Sequence, residues 1–439
     1  MERIAIIADD LTGASDTGAQ FCQHGFRTLV VIDAETIGQV GWEKEVLAIN
    51  ADTRHLTAIE AYQRVYEIAL KLKKAAISRV YKKIDSTLRG HPGAELEAVM
   101  DAWQAGLALV VPAFPANRRF VRDGYLIIEE NPEAAAAIEP AVNIAGAALC
   151  HVPGVLQQEM GRRVGQINLS TVRRGATELA ATLEAAKKTN EVLVLDAVTE
   201  DDLQIIARAA GHLPGKIVLA GAAGLAAHLT LAWNLEAIPG PPPAREGVVI
   251  LIAGSRNPVT ALQVRKLTEF SGCRPYEVDT QAILDGQENA ETERAVNAAV
   301  SREAMPDLLI IAVDSLFRQV SYNVAHGADG KPTAIHPEGM EQPDSKAIAT
   351  ALGTIAARLL DSLKVRALVI TGGDTAVHVC RALGARGINL ATEILPGIPL
   401  GYLEGGQAGG LPIVTKAGGF GPPDAFIKVF KYLNREANL

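Results

Sequence analysis

The chain has 439 residues, of which 48% are hydrophobic and 5% aromatic, and its formal net charge is −8. This length predicts two domains, and the negative charge argues against a general nucleic-acid-binding protein, which would carry a basic surface. The 4 cysteines are scattered without a Cys-x-x-Cys spacing, which argues against a zinc site or a disulfide framework and is typical of the reducing cytoplasm.

Neither export nor membrane insertion is expected. The chain leads directly into a predicted strand, IAIIA, without a basic segment followed by a long apolar one. No run reaches the ~18 uninterrupted apolar residues that a membrane-spanning helix requires. We therefore expect a cytoplasmic protein with no membrane partner.

Short apolar runs typical of buried strands recur along the whole chain. In chain order they read IAIIA, TLVVID, EVLAIN, RVYKKID, LALVVPA, EVLVLDA, KIVLAG, GVVILIAGS, DLLIIAVDS, ALVITGGDT and LPIVTKAGG. Helical patterns such as AIEAYQRVYEIALKLKKAA lie between several of them. This alternation predicts an α/β fold with mainly parallel sheets flanked by helices, in which ligands bind beyond the carboxyl ends of the strands.

The segment IPGPPPARE, residues 238–246, is the strongest linker signal in the chain. Clustered prolines favour an extended, semi-rigid spacer, and the strand pattern restarts after it. We therefore predict an N-terminal domain over residues 1–237, a linker over 238–246 and a C-terminal domain over 247–439, each with its own sheet.

Polar residues follow several predicted strands of the N-terminal half. Asp9 and Asp10 come directly after IAIIA, NADTR (50–54) follows EVLAI, and KKIDSTLRG (82–90) ends the fourth strand. Because the carboxyl ends of parallel strands meet at one edge of a sheet, we expect these residues to lie close together. Their mixture of cations and hydroxyl-binding groups suits a small polyhydroxy acid. The cations are Arg54, Lys83 and Arg89, and the hydroxyl-binding residues are Asp9, Asp10, Asp85 and Ser86.

Structural roles for the same residues remain open at this stage. Asp9 or Asp10 could simply cap the following helix, because Asp is a good N-cap residue. The segment 82–90 could be a solvated loop whose charges pair locally, with Ser86 or Thr87 as a cap. We favour that interpretation for Lys82, because neighbouring residues of a strand point to opposite faces.

Three glycine-rich junctions follow predicted strands of the C-terminal half: AGS ending at Ser255, GGDT at 372–375 and KAGG at 416–419. Glycine lets backbone amides approach an anion closely, and a helix N-terminus favours phosphate, so these turns predict a nucleotide-phosphate site. They match neither the Walker pattern nor a clean GxGxxG turn. Asp374 could hold Mg²⁺ through water, orient the γ-phosphate, or cap the following helix.

Five motifs, taken in order, resemble those of the four-carbon acid sugar kinases: ADDLTGASDTGAQF, KKIDSTLRG, AGSRNPVTALQ, TGGDTA and KAGGFG. The resemblance covers essentially the whole chain, and it implies that the N-terminal domain binds a sugar acid and the C-terminal domain binds ATP. The implied substrate contacts come from Asp9, Arg54, Lys83, Ile84, Asp85 and Ser86. The implied nucleotide contacts come from Ser255, Gly372, Gly373, Asp374, Thr375, Gly418 and Gly419.

These observations predict an ATP- and Mg²⁺-dependent kinase acting on the terminal hydroxyl of a four-carbon sugar acid. The form KKIDSTLRG resembles the D-threonate and D-erythronate kinases, so the expected product is 4-phospho-D-threonate, with D-erythronate as the alternative substrate. Asp9, Asp10 and Asp374 each qualify as the general base. The rival interpretations are a non-catalytic sugar-acid sensor and a nicotinamide-dependent dehydrogenase, whose GxGxxG turn the chain does not clearly supply. The expected partners are the sugar acid and ATP, and a homodimer is the expected assembly because dimers are the commonest oligomers.

Overall fold

The structure is a computed structural model that describes residues 3–38, 45–75, 77–128, 149–233, 246–255, 257–270, 272–300, 306–317 and 343–434. Contacts divide the chain into two compact units. The first unit contains the described residues of Met1–Asp9 and Ala51–Ala237. The second unit contains the described residues of Asp10–Asn50, Ile238–Val320 and Glu341–Leu439.

This division differs from the contiguous domains expected from the sequence. The predicted linker at 238–246 lies almost entirely outside the described residues, so the boundary there stays a prediction. Residues 10–50, which the sequence assigned to the N-terminal domain, belong instead to the second unit. A strand at Thr28–Val31 pairs there with one at Gly387–Leu395, near the other end of the chain.

The strands are numbered along the chain. They are β1 Ile4–Ala8, β2 Thr28–Val31, β3 Val46–Asn50, β4 Arg79–Lys83, β5 Leu107–Val111, β6 Arg119–Arg122, β7 Tyr125–Ile128, β8 Leu149–His151, β9 Val164–Ile167, β10 Val192–Leu195, β11 Ile217–Gly221, β12 Val248–Ala253, β13 Cys273–Val278, β14 Leu308–Val313, β15 Val365–Thr371, β16 Gly387–Leu395, β17 Ile398–Glu404 and β18 Pro412–Lys416. Each of the eleven apolar runs recognised in the sequence forms a strand, which confirms the predicted α/β class.

The helices are numbered in the same way. They are α1 Leu11–Gln23, α2 Ala58–Lys74, α3 Pro92–Trp103, α4 Val152–Glu159, α5 Leu169–Val172, α6 Ala176–Ala186, α7 Glu200–Gly211, α8 Ala223–Ala226, α9 Leu229–Trp233, α10 Pro258–Thr268, α11 Thr280–Leu284, α12 Glu288–Val300, α13 Pro343–Ser362, α14 Gly373–Ala382 and α15 Ala425–Leu433. None of the helices within the described ranges is long and apolar enough to cross a membrane.

The first unit is built on a parallel sheet with the order β1-β4-β11-β5-β10-β9. Its central strands are fully buried, as expected when helices cover both faces of a parallel sheet. Helix α2 is an amphipathic helix with a defined start. It begins with a capping box between Thr57 and Glu60 and buries an apolar stripe that includes Val65 and Leu72. Strands β6, β7 and β8 form a small antiparallel sheet, which the sequence did not predict.

The second unit contains a mixed sheet with the order β13-β14-β12-β15-β18-β17-β16-β2-β3. The five strands from β13 to β18 in this order are parallel, whereas β17 and β16 form an antiparallel pair. That hairpin was not predicted, since most of β16 is only half-buried and its sequence contains no continuous apolar run. The carboxyl ends of the neighbouring strands β12, β15 and β18 carry the three glycine-rich turns.

Candidate functional site

Strands β1 and β4 of the first unit lie side by side and end together. Ile7 pairs in parallel register with Lys82, so Asp9 and the segment after Lys83 emerge at the same edge of the sheet. The loop before α2 is fixed to this edge, because the Thr53 amide donates to the Asp9 carbonyl at 3.0 Å. The predicted meeting of these polar segments is confirmed.

Arg54 connects the two segments by binding both of their carboxylates. Its Nε lies 2.7 Å from Asp9 Oδ2, and its Nη2 lies 3.1 Å from Asp85 Oδ1. Asp85 also accepts from Arg89 Nη2 at 2.8 Å and from the Thr87 amide at 3.0 Å. The two carboxylates are therefore held in place by charge-assisted hydrogen bonds.

These contacts fix the ionisation of both carboxylates. Burial alone would raise the pKa of Asp9, but the positive charge of Arg54, with Lys83 and Lys82, outweighs it and leaves the pKa below its usual value. Burial would also raise the pKa of Asp85, but the positive charges of Arg89 and Arg54 outweigh this effect and hold the pKa well below its usual value. Both groups are anions at neutral pH.

Lys82 and Glu95 form a buried ion pair beside this cluster. Their side chains are 1% and 2% exposed, and Lys82 Nζ lies 2.6 Å from Glu95 Oε2. The Thr53 hydroxyl donates to Glu95 Oε1 at 2.9 Å, but burial, together with Asp9, still raises the pKa of Glu95. The sequence interpretation of Lys82 as a solvated, locally paired lysine is wrong, because helix α3 covers the face toward which it points. Glu95 was missed; the available signal was an acidic residue in the first turn of α3, beside small and apolar residues.

Three polar groups of this cluster remain for a ligand. Lys83 is 3% exposed, and its ammonium has no carboxylate within 4 Å among the described residues. The Oδ1 atom of Asp9 is buried without a hydrogen-bond partner, and the nearly buried Ser86 hydroxyl makes no hydrogen bond within the described ranges. Ile84 is buried, and its amide donates to the Gly221 carbonyl. The substrate contact predicted for Ile84 is therefore limited to its side chain and its own carbonyl.

Among the residues that the structure describes, this cluster carries an excess of one positive charge. Four cationic side chains face three carboxylates there, and Lys83 is the cation without a paired carboxylate. The cations are Arg54, Lys82, Lys83 and Arg89, and the carboxylates are Asp9, Asp85 and Glu95. A ligand with a single negative charge would neutralise it.

In the second unit, the three glycine-rich turns lie against one another. A Cβ added at Gly254 would lie 2.3 Å from Thr375 Oγ1, and one added at Gly418 would lie 2.3 Å from Ser255 Oγ. A side chain at either glycine would therefore force its neighbours to move. The predicted meeting of Ser255, the 372–375 turn and the 418–419 turn is therefore confirmed.

The turns present backbone amides rather than charges. Within the described ranges, the amides of Ser255, Gly418 and Gly419 donate to no protein acceptor. A Cβ added at Gly372 would lie 3.5 Å from the Ser255 nitrogen, so these turns and the start of α14 share one small region. Clustered free amides beside a helix N-terminus form an anion-binding concavity.

Asp10 belongs to this second cluster and not to the first. Its Oδ1 accepts from the Gly13 amide at 2.7 Å, so the N-cap alternative is observed for Asp10, while Asp9 caps no helix. A Cβ added at Gly373 would lie 2.7 Å from Asp10 Oδ2. The Asp10 carboxylate thus lies at the start of both α1 and α14.

Asp374 occupies the first turn of α14 and is exposed. The N-cap of this helix is Gly372, with φ of +107°, so the N-cap alternative for Asp374 is wrong. No group of three or more histidine, cysteine or acidic side chains with metal-binding geometry occurs in the described parts of the chain.

Comparison with known proteins assigns sugar binding to the first half of the chain and nucleotide binding to the second half. A family model described as a sugar-binding N-terminal domain matches residues 4–229, and one described as a nucleotide-binding C-terminal domain matches residues 250–426. A Bordetella bronchiseptica protein named D-threonate kinase is 35% identical over 97% of this chain and 96% of its own length. A Heliobacterium modesticaldum protein named D-erythronate kinase is 32% identical over 99% of this chain and 97% of its own length.

A solved structure of a protein from Salmonella typhimurium LT2 has a similar fold. It superposes with a TM-score of 0.73 at 24% identity, over 98% of this chain and 99% of that one. At this identity the likeness establishes the fold alone.

Proposed function

The chain belongs to the four-carbon acid sugar kinase family, and from that membership we propose that it transfers the γ-phosphoryl group of ATP to the 4-hydroxyl of D-threonate. The choice of D-threonate is supported by the name of the Bordetella bronchiseptica relative and by the segment KKIDSTLRG. D-Erythronate is the second candidate, because the Heliobacterium modesticaldum relative carries that name at a similar identity.

The observation that carries the proposal is the unmatched positive charge of the first unit. A tetronate has one carboxylate, and we assign it to the buried Lys83 ammonium. Asp9 Oδ1 and the Ser86 hydroxyl are assigned to the hydroxyl groups of the substrate, since a buried acceptor without a partner is costly until a donor reaches it. Arg54 already binds Asp9 and Asp85, so we give it the role of orienting those carboxylates, with any direct contact to substrate secondary.

The nucleotide is assigned to the second unit. The amides of Ser255, Gly418 and Gly419, with the start of α14 at Gly372–Thr375, would bind the phosphate oxygens. Mg²⁺ usually binds through one or two carboxylates plus the nucleotide phosphates, so a preformed cluster of three protein ligands is not required. The exposed Asp374 carboxylate at the start of α14 fits this role, and the ion would neutralise charge on the phosphates.

We assign Asp10 the role of accepting the proton from the attacking hydroxyl of the sugar acid. It lies beside Gly373, in the turn proposed to bind the phosphates, whereas Asp9 is held by Arg54 with a lowered pKa. As the hydroxyl oxygen forms its bond to phosphorus and the bond to ADP breaks, Asp10 would accept the hydroxyl proton. Positioning and charge stabilisation supply most of the rate enhancement in phosphoryl transfer, and proton acceptance adds to it.

The test is an ADP-release assay with Mg²⁺ and ATP against D-threonate, D-erythronate, L-threonate, L-erythronate and 3-oxo-tetronate. We expect the highest kcat/KM with D-threonate. Higher kcat/KM with D-erythronate or 3-oxo-tetronate would overturn the choice of substrate and keep the kinase. Binding of a tetronate without ATP binding or turnover would instead support the sugar-acid sensor.

A further inference from the structure

Lys416 is the last residue of β18 and lies directly beneath the glycine turn that follows it. It is 1% exposed, and its ammonium donates to the carbonyl oxygens of Ala417 at 2.7 Å, Gly418 at 3.0 Å and Phe420 at 3.1 Å. The ring of Phe426, on α15, lies 5.4 Å from Nζ. The side chain is therefore folded back under its own loop rather than directed to solvent.

The contacts of Lys416 determine where the amides of the turn point. In a trans peptide the carbonyl and the amide of the same unit point in opposite directions. Because Lys416 binds the Ala417 and Gly418 carbonyls, the amides of Gly418 and Gly419 point away from it. Those are two of the amides that donate to no acceptor within the described ranges.

Two side chains of α10 support the same arrangement. The Thr260 hydroxyl donates to the Gly418 carbonyl at 2.9 Å, and Gln263 Nε2 donates to the Phe420 and Pro422 carbonyls, both at 2.9 Å. The carbonyls of the turn are thus bound from the interior of the unit, and the Gly418 and Gly419 amides are left to face a ligand.

We propose that Lys416 is a positioning residue that aims the Gly418 and Gly419 amides at a nucleotide phosphate, and that phosphate binding there is coupled to proton uptake from solvent by the Lys416 amine. The proposal rests on the assignment of this turn to ATP under the proposed function. The bound phosphate supplies the negative charge that makes the ammonium form favourable.

The surroundings of Lys416 explain the coupling. Burial lowers its pKa to about 7, and no charged side chain among the described residues contributes to that shift. Among the described residues, the groups around it are uncharged. Thr371 is its register partner on β15, Thr260 and Gln263 of α10 bind two of the same carbonyls, and Phe426 lies on α15. Without ligand, much of the enzyme therefore holds a neutral amine above neutral pH, and an anion placed over the loop raises the pKa again.

Calorimetry of the full-length protein with MgADP tests the coupling. Titrations at about pH 8 in Tris and in HEPES, whose ionisation enthalpies differ, report the protons taken up on binding. We expect uptake of about half a proton per nucleotide, from a rise of one or more pKa units at a group whose pKa starts near 7. Equal binding enthalpies in the two buffers would overturn the coupling.

Two variants test the positioning role. Lys416→Met should raise the KM for ATP by about tenfold or more and abolish proton uptake, with the KM for the sugar acid unchanged. Lys416→Arg keeps the charge at all pH values, so it should bind nucleotide better than Lys416→Met and take up no proton. Lys364→Met, at a lysine whose side chain is 73% exposed, is the matched control and should behave as the unmodified protein.

The outcomes separate this inference from the proposed function. An unchanged KM for ATP in Lys416→Met overturns the positioning role while the kinase stands. Failure of the unmodified protein to bind MgADP overturns the nucleotide assignment itself. If Lys416→Met does not fold, the buffer dependence of the unmodified protein and the behaviour of Lys416→Arg decide the question.

Discussion

Under the proposed function, the two clusters would bind anions by opposite means. The cluster of the first unit uses side-chain charges, with Arg54 and Lys82 each committed to carboxylates and Lys83 left with an unmatched charge. The cluster of the second unit uses backbone amides, which become available because Lys416 and Thr260 bind the carbonyls of the same loop. The first should therefore be sensitive to removal of a side chain, and the second to addition of a single carbon atom.

The largest effect is expected at the unmatched charge. Lys83→Met should lower kcat/KM for the sugar acid by about 10²–10³-fold, because a buried ion pair to the substrate is lost. The KM for ATP should stay within about twofold. Steady-state kinetics with each substrate varied in turn measure both, and Lys74→Met, at an exposed lysine in the last turn of α2, is the control. A near-normal kcat/KM in Lys83→Met would remove the central observation behind the proposed function.

The next effect distinguishes two carboxylates that are adjacent in the chain but belong to different units. Asp10→Asn should lower kcat by about 10²-fold with both KM values little changed, because a proton acceptor is lost while Asn still caps α1. Asp9→Asn should act mainly on the KM of the sugar acid. The opposite pattern, a kcat effect at Asp9 and none at Asp10, would transfer the role of base to Asp9.

A smaller effect tests the backbone site with a matched pair of glycines. At Gly418 an added Cβ would lie 2.3 Å from Ser255 Oγ and 2.9 Å from Asn257 Cβ, whereas at Gly419 its nearest neighbour is Asn257 Nδ2 at 3.4 Å. Gly418→Ala should raise the KM for ATP by about tenfold, and Gly419→Ala by less than about threefold. Equal effects of the two substitutions would argue against a close approach of the turns.

The smallest effect concerns acid stability and the first cluster. The pKa values of Asp9 and Asp85 are lower in the folded protein than in the unfolded chain. The unfolded state therefore binds more protons in acid, and the stabilisation is present above about pH 4 and lost below it. The raised pKa of Glu95 works in the opposite direction and partly offsets this loss.

Asp85→Asn should reduce the loss of stability between about pH 5 and pH 3 by about 1 kcal/mol. Thermal unfolding followed by circular dichroism across that range measures it, and Glu67→Gln, at an exposed position of α2, is the control. An unchanged pH profile in Asp85→Asn would mean that this carboxylate is not held ionised by Arg54 and Arg89.

The sequence predicted the strands and both clusters because each left a local signal. Apolar runs mark buried parallel strands, and polar or glycine-rich residues at their ends mark the edge where ligands bind. Lys82 was misjudged because alternation along a strand says which face a residue points to, not whether a helix covers that face. Its partner Glu95 lies on α3, and only packing brings the two together.

The separation of Asp9 from Asp10 also had no local signal. Both follow the same strand, and nothing in the sequence shows that α1 packs with β16 or that β2 pairs with it. The orientation of the Gly418 and Gly419 amides was equally hidden, since it depends on the side chain of Lys416 turning back under the loop. The glycines of this turn predicted that the backbone could approach an anion. They did not predict whether its amides or its carbonyls would face that anion.

The pairing of β2 with β16 has a consequence for synthesis on the ribosome. Residues 10–50 are translated long before their partner strand β16. The second unit therefore has a high contact order and cannot close until β16 has been translated. A fragment starting at residue 247 would lack β2, leaving one edge of β16 without its backbone partner and open to edge-to-edge aggregation.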